Sequence, residues 1–338
     1  MNLTGKEKEN RMKLSDYKAL STMGNYETLE RPVYIVSMEE IVNKSGKTQL
    51  NLTVKDGLGT EKVSVFDSGL QTVHDEYPFA VPGAVVNLKI TKKDPFYNAH
   101  YAFKECREPF DLTEIAEKAT ENDPQKFYDY ILKTVLSSAR PAGEYQPIAE
   151  IAKTVYEKRK GDILRSSSAI RMHHTGLYGN IVHTAEVVNV CDALLKTTLG
   201  KDIDAELLLT GAALHDIGKL DTYDTDDIGE ATMTLEGYAM GSHHYGSLMA
   251  VEEAVREGNY DPERVLLLKN IIASHHGKRE FGDLATPLTL EGIWLNFADD
   301  LDAKHYEARK AILEIQPGTV TPKKVFPFDF NLYRRTDQ

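Results

Sequence analysis

The residues with chemistry to offer lie in the second half of the chain, and they are imidazoles and carboxylates. His183 falls on a helical face that continues through Val187, Val190 and Leu194. His215 follows Leu208, Gly211 and Ala212 in LLLTGAALHDIGK, with Asp216 beside it and Lys219 one turn on. His275 and His276 follow Val265, Leu268 and Ile272, and Asp299 sits one turn beyond Leu295 in WLNFADDLDAK. Helical spacing turns each of them inward. Taken singly, a histidine on an apolar face is ordinarily a hydrogen-bonded core residue, an HD dipeptide arises by chance, and a helical aspartate is ordinarily solvated. Taken as a series on successive helices they need partners, because an unpaired buried charge costs on the order of several kcal/mol. One shared metal would satisfy them together.

Two kinds of element must position these groups. Between about 28 and 110 the apolar pattern has period two: Val33 and Ile35; Leu50, Leu52 and Val54; Val63 and Val65; Val86, Leu88 and Ile90; Ala99, Tyr101 and Phe103. NKSGK at 43–47, DGLG at 56–59 and PG at 82–83 separate the runs, and five short strands in that length suggest a small antiparallel barrel. After about 111 the period becomes helical. Asp123-Pro124 and Asp261-Pro262 each read as an N-cap followed by proline at the first helical position, and Gly277 as a helix stop. The expected organisation is a polar arm over 1–27, a barrel over 28–110, a helical linker over 111–165, an all-α domain over 166–315, and a surface tail over 316–338.

Composition narrows the class. The chain has 338 residues, with 40 basic against 52 acidic side chains, for a net charge of −12. That balance argues against a protein that binds duplex DNA by charge alone, although bound cations would add positive charge that a residue count omits. Cys106 and Cys191 are too few and too far apart for a disulfide framework or a thiolate zinc site. No apolar run reaches membrane-spanning length and the start lacks the apolar core of a signal peptide, so a cytoplasmic protein with no membrane partner is expected.

HDIGK is close to the wording of the HD superfamily of metal-dependent phosphohydrolases. SSSAIRMHH at 166–174, SHHG at 274–277 and ADDLDAK at 298–304 are similar to the YhaM-type 3′→5′ exoribonucleases, which join an N-terminal OB-fold to a C-terminal HD domain. The resemblance spans about 28–310 and is compositional only in the barrel. It implies one metal on His183, His215, Asp216 and Asp299, and a second that shares Asp216 and takes His243, His275 and His276. In GYAMGSHHYGS the family's small residue four places on points to Ser242 if measured from Gly246 and to His243 if measured from Ser247; His244, on a face with Leu248, Val251 and Val255, competes. The family's GGLLEH stands here as YGNIVH, so Val182 replaces a glutamate.

The resemblance implies two divalent cations, manganese first, with iron, cobalt, nickel or zinc also compatible with imidazole and carboxylate donors. Two such ions about 3.5–4 Å apart activate water and neutralise a phosphodiester. Asp216 would bridge them as a catalytic residue, with the Lys219 ammonium beside the scissile phosphate. Arg171, His173, His174, Lys278 and Arg279 are candidate substrate contacts. In the barrel, Tyr34, Phe66, Phe96, Tyr97, Tyr101 and Phe103 interleave with Lys44, Lys47, Lys55, Lys62, Lys92 and Lys93, the make-up of a single-strand groove once the core has taken about half of the aromatics. The expected activity is 3′→5′ exonucleolytic hydrolysis of single-stranded RNA to nucleoside 5′-monophosphates, with single-stranded DNA and homo-oligomerisation left open. A phosphohydrolase of mononucleotides or cyclic nucleotides, and a non-catalytic nucleic-acid-binding protein with a structural metal, are the alternatives.

Overall fold

The computed structural model describes residues 11–42, 46–66, 69–99 and 103–337, in two compact units that divide after Ala116. In the first unit β1 (Thr28–Val42), β2 (Thr48–Lys55), β3 (Thr60–Phe66), β4 (Val85–Lys93) and β5 (Phe96–Ala99) form a closed five-stranded barrel, with α1 (Leu70–Glu76) between β3 and β4. The two halves of β1 pair antiparallel with β4 and with β2. A register shift between Ile35 and Ser37 marks the change of partner, as expected of a bulge that bends a strand. β3 and β5 run parallel and complete the closure, and a two-residue strand, β6 (Lys104–Glu105), adds to β4. The alternating residues that predict the strands, from Val33 to Phe103, are buried wherever they are described. Tyr101 and Lys44 lie outside the described residues.

The polar arm is a different matter. Leu14 and Leu20 are fully buried and Met23 nearly so, which at about 1.5–3 kcal/mol for a buried leucine is a substantial anchor. Arg31, buried inside the barrel unit, donates to the carbonyls of Leu14 and Asp56 at 3.0 and 2.8 Å, and the Tyr97 hydroxyl donates to Leu20 O at 3.0 Å. Residues 11–27 are thus part of the barrel unit, and the charge of their other side chains hid those few apolar anchors.

The second unit is helical. Its principal helices are α2 (Pro124–Ser137), α3 (Ala149–Lys158), α5 (Gly179–Leu195), α6 (Ala205–Leu214), α9 (His244–Val255), α10 (Pro262–Ala273) and α11 (Leu290–Leu313). Short turns α4 (Lys160–Ile163), α7 (Lys219–Thr222) and α8 (Leu235–Met240) and a two-stranded ribbon, β7 (Tyr223–Thr225) with β8 (Ala231–Met233), fill the connections. Asp123 and Asp261 cap α2 and α10 by accepting from Gln125 N and Glu263 N at 3.0 and 2.9 Å. The stretch expected as a linker belongs to this unit: Ile131, Val135, Ile148, Ile151 and Tyr156 share one core with Ile181, Leu208, Leu268 and Leu295. Their helical faces were readable; that they close on the domain which follows was not. No helix among the described residues is long and apolar enough to cross a membrane, and both cysteines are free.

Candidate metal centre

Five segments of the helical unit bring their donors to one place. His183 comes from the second turn of α5, His215 and Asp216 from just past the end of α6, and His243 from the residue before α9. His275 and His276 come from the turn after α10, and Asp299 from α11. Spacing put His215 and His275 on helix faces, but the helices stop at Leu214 and Ala273 and the imidazoles cap them. The last carbonyls of a helix lack intrahelical donors. Here they take ring N–H groups: His215 Nδ1 donates to Ala212 O and His275 Nδ1 to Ile272 O, both at 2.8 Å. Those bonds fix the tautomer and leave each Nε2 as a lone-pair donor, the arrangement of a metal ligand.

His183 reaches the same state through a side chain. Its Nδ1 lies 2.7 Å from Asp302 Oδ2, and His174 Nε2 lies 2.9 Å from the same oxygen. The opposite nitrogen, His183 Nε2, is 3.1 Å from Asp299 Oδ1, 3.2 Å from Asp216 Oδ2 and 3.2 Å from His215 Nε2. Donors about 2.1 Å from one ion stand about 3.0–3.4 Å apart in octahedral or tetrahedral arrangement, so these four atoms have the spacing of a shared ligand set. The other oxygen of Asp216 faces a second set, with His243 Nε2 at 3.0 Å and His275 Nε2 at 3.8 Å, and those two imidazoles are 3.5 Å apart. His276 stacks edge-on against His275, and its buried Nδ1 has no hydrogen-bond partner. His244, the competitor of His243, has both nitrogens engaged, by Ser242 Oγ at 2.6 Å and Asp283 Oδ1 at 3.0 Å.

The donor set fits a cation. Asp216 is buried, yet neither of its oxygens accepts a hydrogen bond; Lys219 Nζ is 2.7 Å from Oδ2 as an ion pair outside hydrogen-bonding geometry. Burial pushes the Asp216 carboxyl up, but Lys219 and His215 outweigh it and hold it well below the usual range. Asp299 is likewise held down, burial being overcome by His183. Burial drives His275 well below an ordinary imidazole, helped by His276 and His215, and lowers His243 despite Asp216. Both rings are therefore neutral at neutral pH. His183 alone moves up: burial opposes its charge, but Asp216, Asp299 and Asp302 together prevail. Positive charge is favoured at the point where the carboxylates meet, which is what a cation would supply.

A cleft of about 710 Å³ opens over this centre, lined in part by His173, Lys219, His276, Lys278 and Asp299. Of the expected substrate contacts, His173 and Lys278 are therefore on its wall. Burial and the charges of His183 and Lys219 push His173 down to about 3, so it faces the cleft as a neutral ring. Arg171 and Arg279 are surface residues outside that lining. His174 differs more sharply from a substrate contact: it is 6% exposed and bound to Asp302, the carboxylate that also holds His183. Val182, where the resemblance has a glutamate, is buried. The sequence reading missed Asp302, although it stands three residues after Asp299 on one helical face. It also missed Asp283, a buried loop residue that no periodicity announces.

A closed barrel followed by a helical unit with this imidazole–carboxylate centre defines a metal-dependent hydrolase, and residues 180–304 match the HD domain family. The chain is similar to three proteins named 3′-5′ exoribonuclease YhaM. The protein from Oceanobacillus iheyensis is 28% identical over 84% of this chain and 86% of its own length. That from Shouchella clausii is 33% identical over 51% of this chain and 52% of its own, and that from Bacillus velezensis 32% identical over 54% and 56%. The resemblance read from HDIGK, SHHG and ADDLDAK stands on these matches. No solved structure gave a significant match.

Proposed function

We propose that the chain is a 3′→5′ exonuclease that hydrolyses the terminal phosphodiester of single-stranded RNA to nucleoside 5′-monophosphates, using two divalent cations. The observation that carries the reading is Asp216, whose two buried oxygens face separate groups of imidazoles beneath an open cleft. Divalent cations held there would polarise the phosphoryl oxygens and acidify a water that then serves as nucleophile at neutral pH. The first would rest on His183, His215, Asp216 and Asp299, the second on Asp216, His243, His275 and His276. Manganese is the ion to supply first; iron, cobalt, nickel and zinc suit the same donors.

The chain's own residues do the rest. Burial would discharge the Lys219 ammonium, but Asp216 keeps it charged, so it lines the cleft as a fixed cation able to balance the charge that grows on the phosphoryl oxygens. Neutral His173 can donate to a phosphate oxygen from the same wall. Attack at phosphorus expels the 3′ oxygen of the preceding nucleotide, so the released nucleotide keeps its phosphate on its 5′ carbon. The direction of attack along the strand and the choice of RNA are supported by the names of the relatives.

In the barrel, Tyr34, Tyr97 and Phe103 are core, whereas Phe66 and Phe96 are exposed. Both alternate outward from the buried Val65 and Tyr97 of the paired strands β3 and β5. They offer stacking surface for a single strand, with exposed Lys62 on the same face. The test is 5′-labelled RNA incubated with manganese-loaded protein. A ladder shortening by single nucleotides from the 3′ end, with 5′-monophosphates released, supports the proposal. Intact RNA beside hydrolysed mononucleotides would replace it with a small-nucleotide phosphohydrolase, and single-stranded DNA in the same assay measures sugar preference.

A further inference from the structure

The tail after Pro317 is a hairpin with its tip at the catalytic cleft. Thr321 N donates to Leu332 O and Gly318 N to Arg334 O at 2.8 Å, and Arg334 N donates back to Thr319 O at 2.9 Å. Val325 N donates to Phe330 O at 2.9 Å and closes the tip. Arg334 ties this hairpin to the end of α11: its Nη1 donates to Ile315 O at 2.7 Å, just past that end, and is also 3.3 Å from Leu313 O. Half-buried Phe328 lines an apolar groove of about 560 Å³ together with Val190, Leu194, Phe297 and Leu301. Sequence pattern did not reveal any of this, because a hairpin so short and so charged has no apolar period.

At the hairpin's tip, Phe326 and Pro327 form part of the cleft wall together with His173, Lys219 and Lys278. Phe326 is 68% exposed, and so is most of Phe281 on the same cleft (61%). The Lys278 ammonium lies 5.4 Å from the centre of the Phe281 ring. An anchored segment that holds a phenylalanine ring in water, beside a centre for phosphodiesters, has the use that an aromatic face has for a nucleobase: stacking that excludes water and tolerates any base. A nucleotide whose phosphate sat at the metal centre would share with these rings the one cleft that Asp299, His276, Phe281 and Phe326 all line.

We propose that Phe326, carried by the C-terminal hairpin, and Phe281 form a base-stacking subsite for the nucleotide at the strand's 3′ end, so that the tail selects substrates that carry a terminal base. This rests on the exonuclease reading and adds to it the part of the nucleotide that is recognised away from phosphate. Stacking one base on an aromatic side chain is worth on the order of tenfold or more in affinity.

The experiment compares kcat/KM for two oligoribonucleotides that differ only in whether the 3′-terminal residue has its base or is abasic. Manganese-loaded full-length chain is used as wild type, F326A, F281A and F326W. Wild type is expected to prefer the intact end by about tenfold or more, F326A to lower that ratio to about threefold or less, F281A to lower it in part, and F326W to restore it. Metal content and melting temperature, measured on each variant, show that the exposed ring was removed without loss of the fold. If F326A keeps the wild-type ratio while the wild type degrades the intact oligomer, the subsite is overturned and the exonuclease reading survives. If the wild type degrades neither oligomer, the exonuclease reading fails and takes the subsite with it.

Discussion

Replacing Asp302 with asparagine tests the proposed metal centre without changing any of its proposed ligands. The side chain is 8% exposed, and its Oδ2 serves His183 Nδ1 at 2.7 Å and His174 Nε2 at 2.9 Å. Burial pushes its carboxyl up, but those two imidazoles hold it far below the usual range. It is therefore an anion at any working pH, and it makes His183 a stronger donor through Nε2. Asparagine keeps the shape and one acceptor oxygen and removes the charge, so no cavity confuses the result. Loss of such an outer partner typically costs 10–100-fold in metal affinity, or about 1.4–2.8 kcal/mol. The readout is stability against added manganese after chelation. At a concentration of about 100 times the wild-type Kd, wild type gains about 2.7 kcal/mol; a site ten- to a hundredfold weaker gains only about 1.4 to 0.4 kcal/mol at that concentration. A variant with wild-type gain would refute the role of Asp302 and weaken the case that His183 Nε2 binds metal.

Three further outcomes follow from the same geometry. His243→Ala should lower the cations bound per folded chain by elemental analysis, whereas His244→Ala, which loses bonds to Ser242 and Asp283, should cost about 1–3 kcal/mol of stability with metal content unchanged; the reverse pattern would exchange their roles. A Cβ on Gly218 would stand 2.0 Å from His243 O and 2.4 Å from Ser247 N, so Gly218→Ala should push the start of α9 away, cost about 1–3 kcal/mol in urea unfolding and deplete the second cation first. For pH dependence, burial raises the Asp204 carboxyl but Arg264 and Leu207 N outweigh it, holding it below 3.8. A depressed carboxylate stabilises the fold above its unfolded value and loses that contribution as pH falls through the folded one. Asp204→Asn, which keeps a capping oxygen, should therefore be less stable than wild type at pH 7 and draw closer to it as the pH falls below 3.8; a difference that stays constant through that descent would rule the charge out as its cause.

How much of this was legible depends on what each residue's signal was. Leu50, Leu52 and Val54 must alternate because a strand has two faces, and Asp261-Pro262 must start a helix because proline's missing N–H is no loss there. His215 and Asp216 were visible as neighbours on a buried face. Their geometry was not, since periodicity says which side a residue faces and nothing about where the helix ends, and the imidazoles sit one residue past Leu214 and two past Ala273. Asp302 obeyed the helical spacing from Asp299 and was open to discovery. Asp283 and Phe326 lie in loops, where position comes from contacts distant in sequence, and Leu14 and Leu20 were masked by charged neighbours.

The proposed donors differ in what holds them, and that difference orders their sensitivity to substitution. His215 and His275 lean on backbone carbonyls three residues back, Ala212 O and Ile272 O. No side-chain replacement at those two positions removes the acceptor; only a shift of the helix end does. His183, inside α5, has its own carbonyls occupied by the helix and must borrow Asp302 from α11. The first group of proposed donors therefore depends on the seating of α11 against α5, which carries Asp299 and Asp302 to His183, while the second depends on the close approach of Gly218 to the start of α9. Weakening either contact should disturb its own group first, although Asn296 of α11 also donates to His275 O and Ser247 of α9 to His215 O, both at 2.9 Å, so that each helix touches the other group through a main-chain carbonyl.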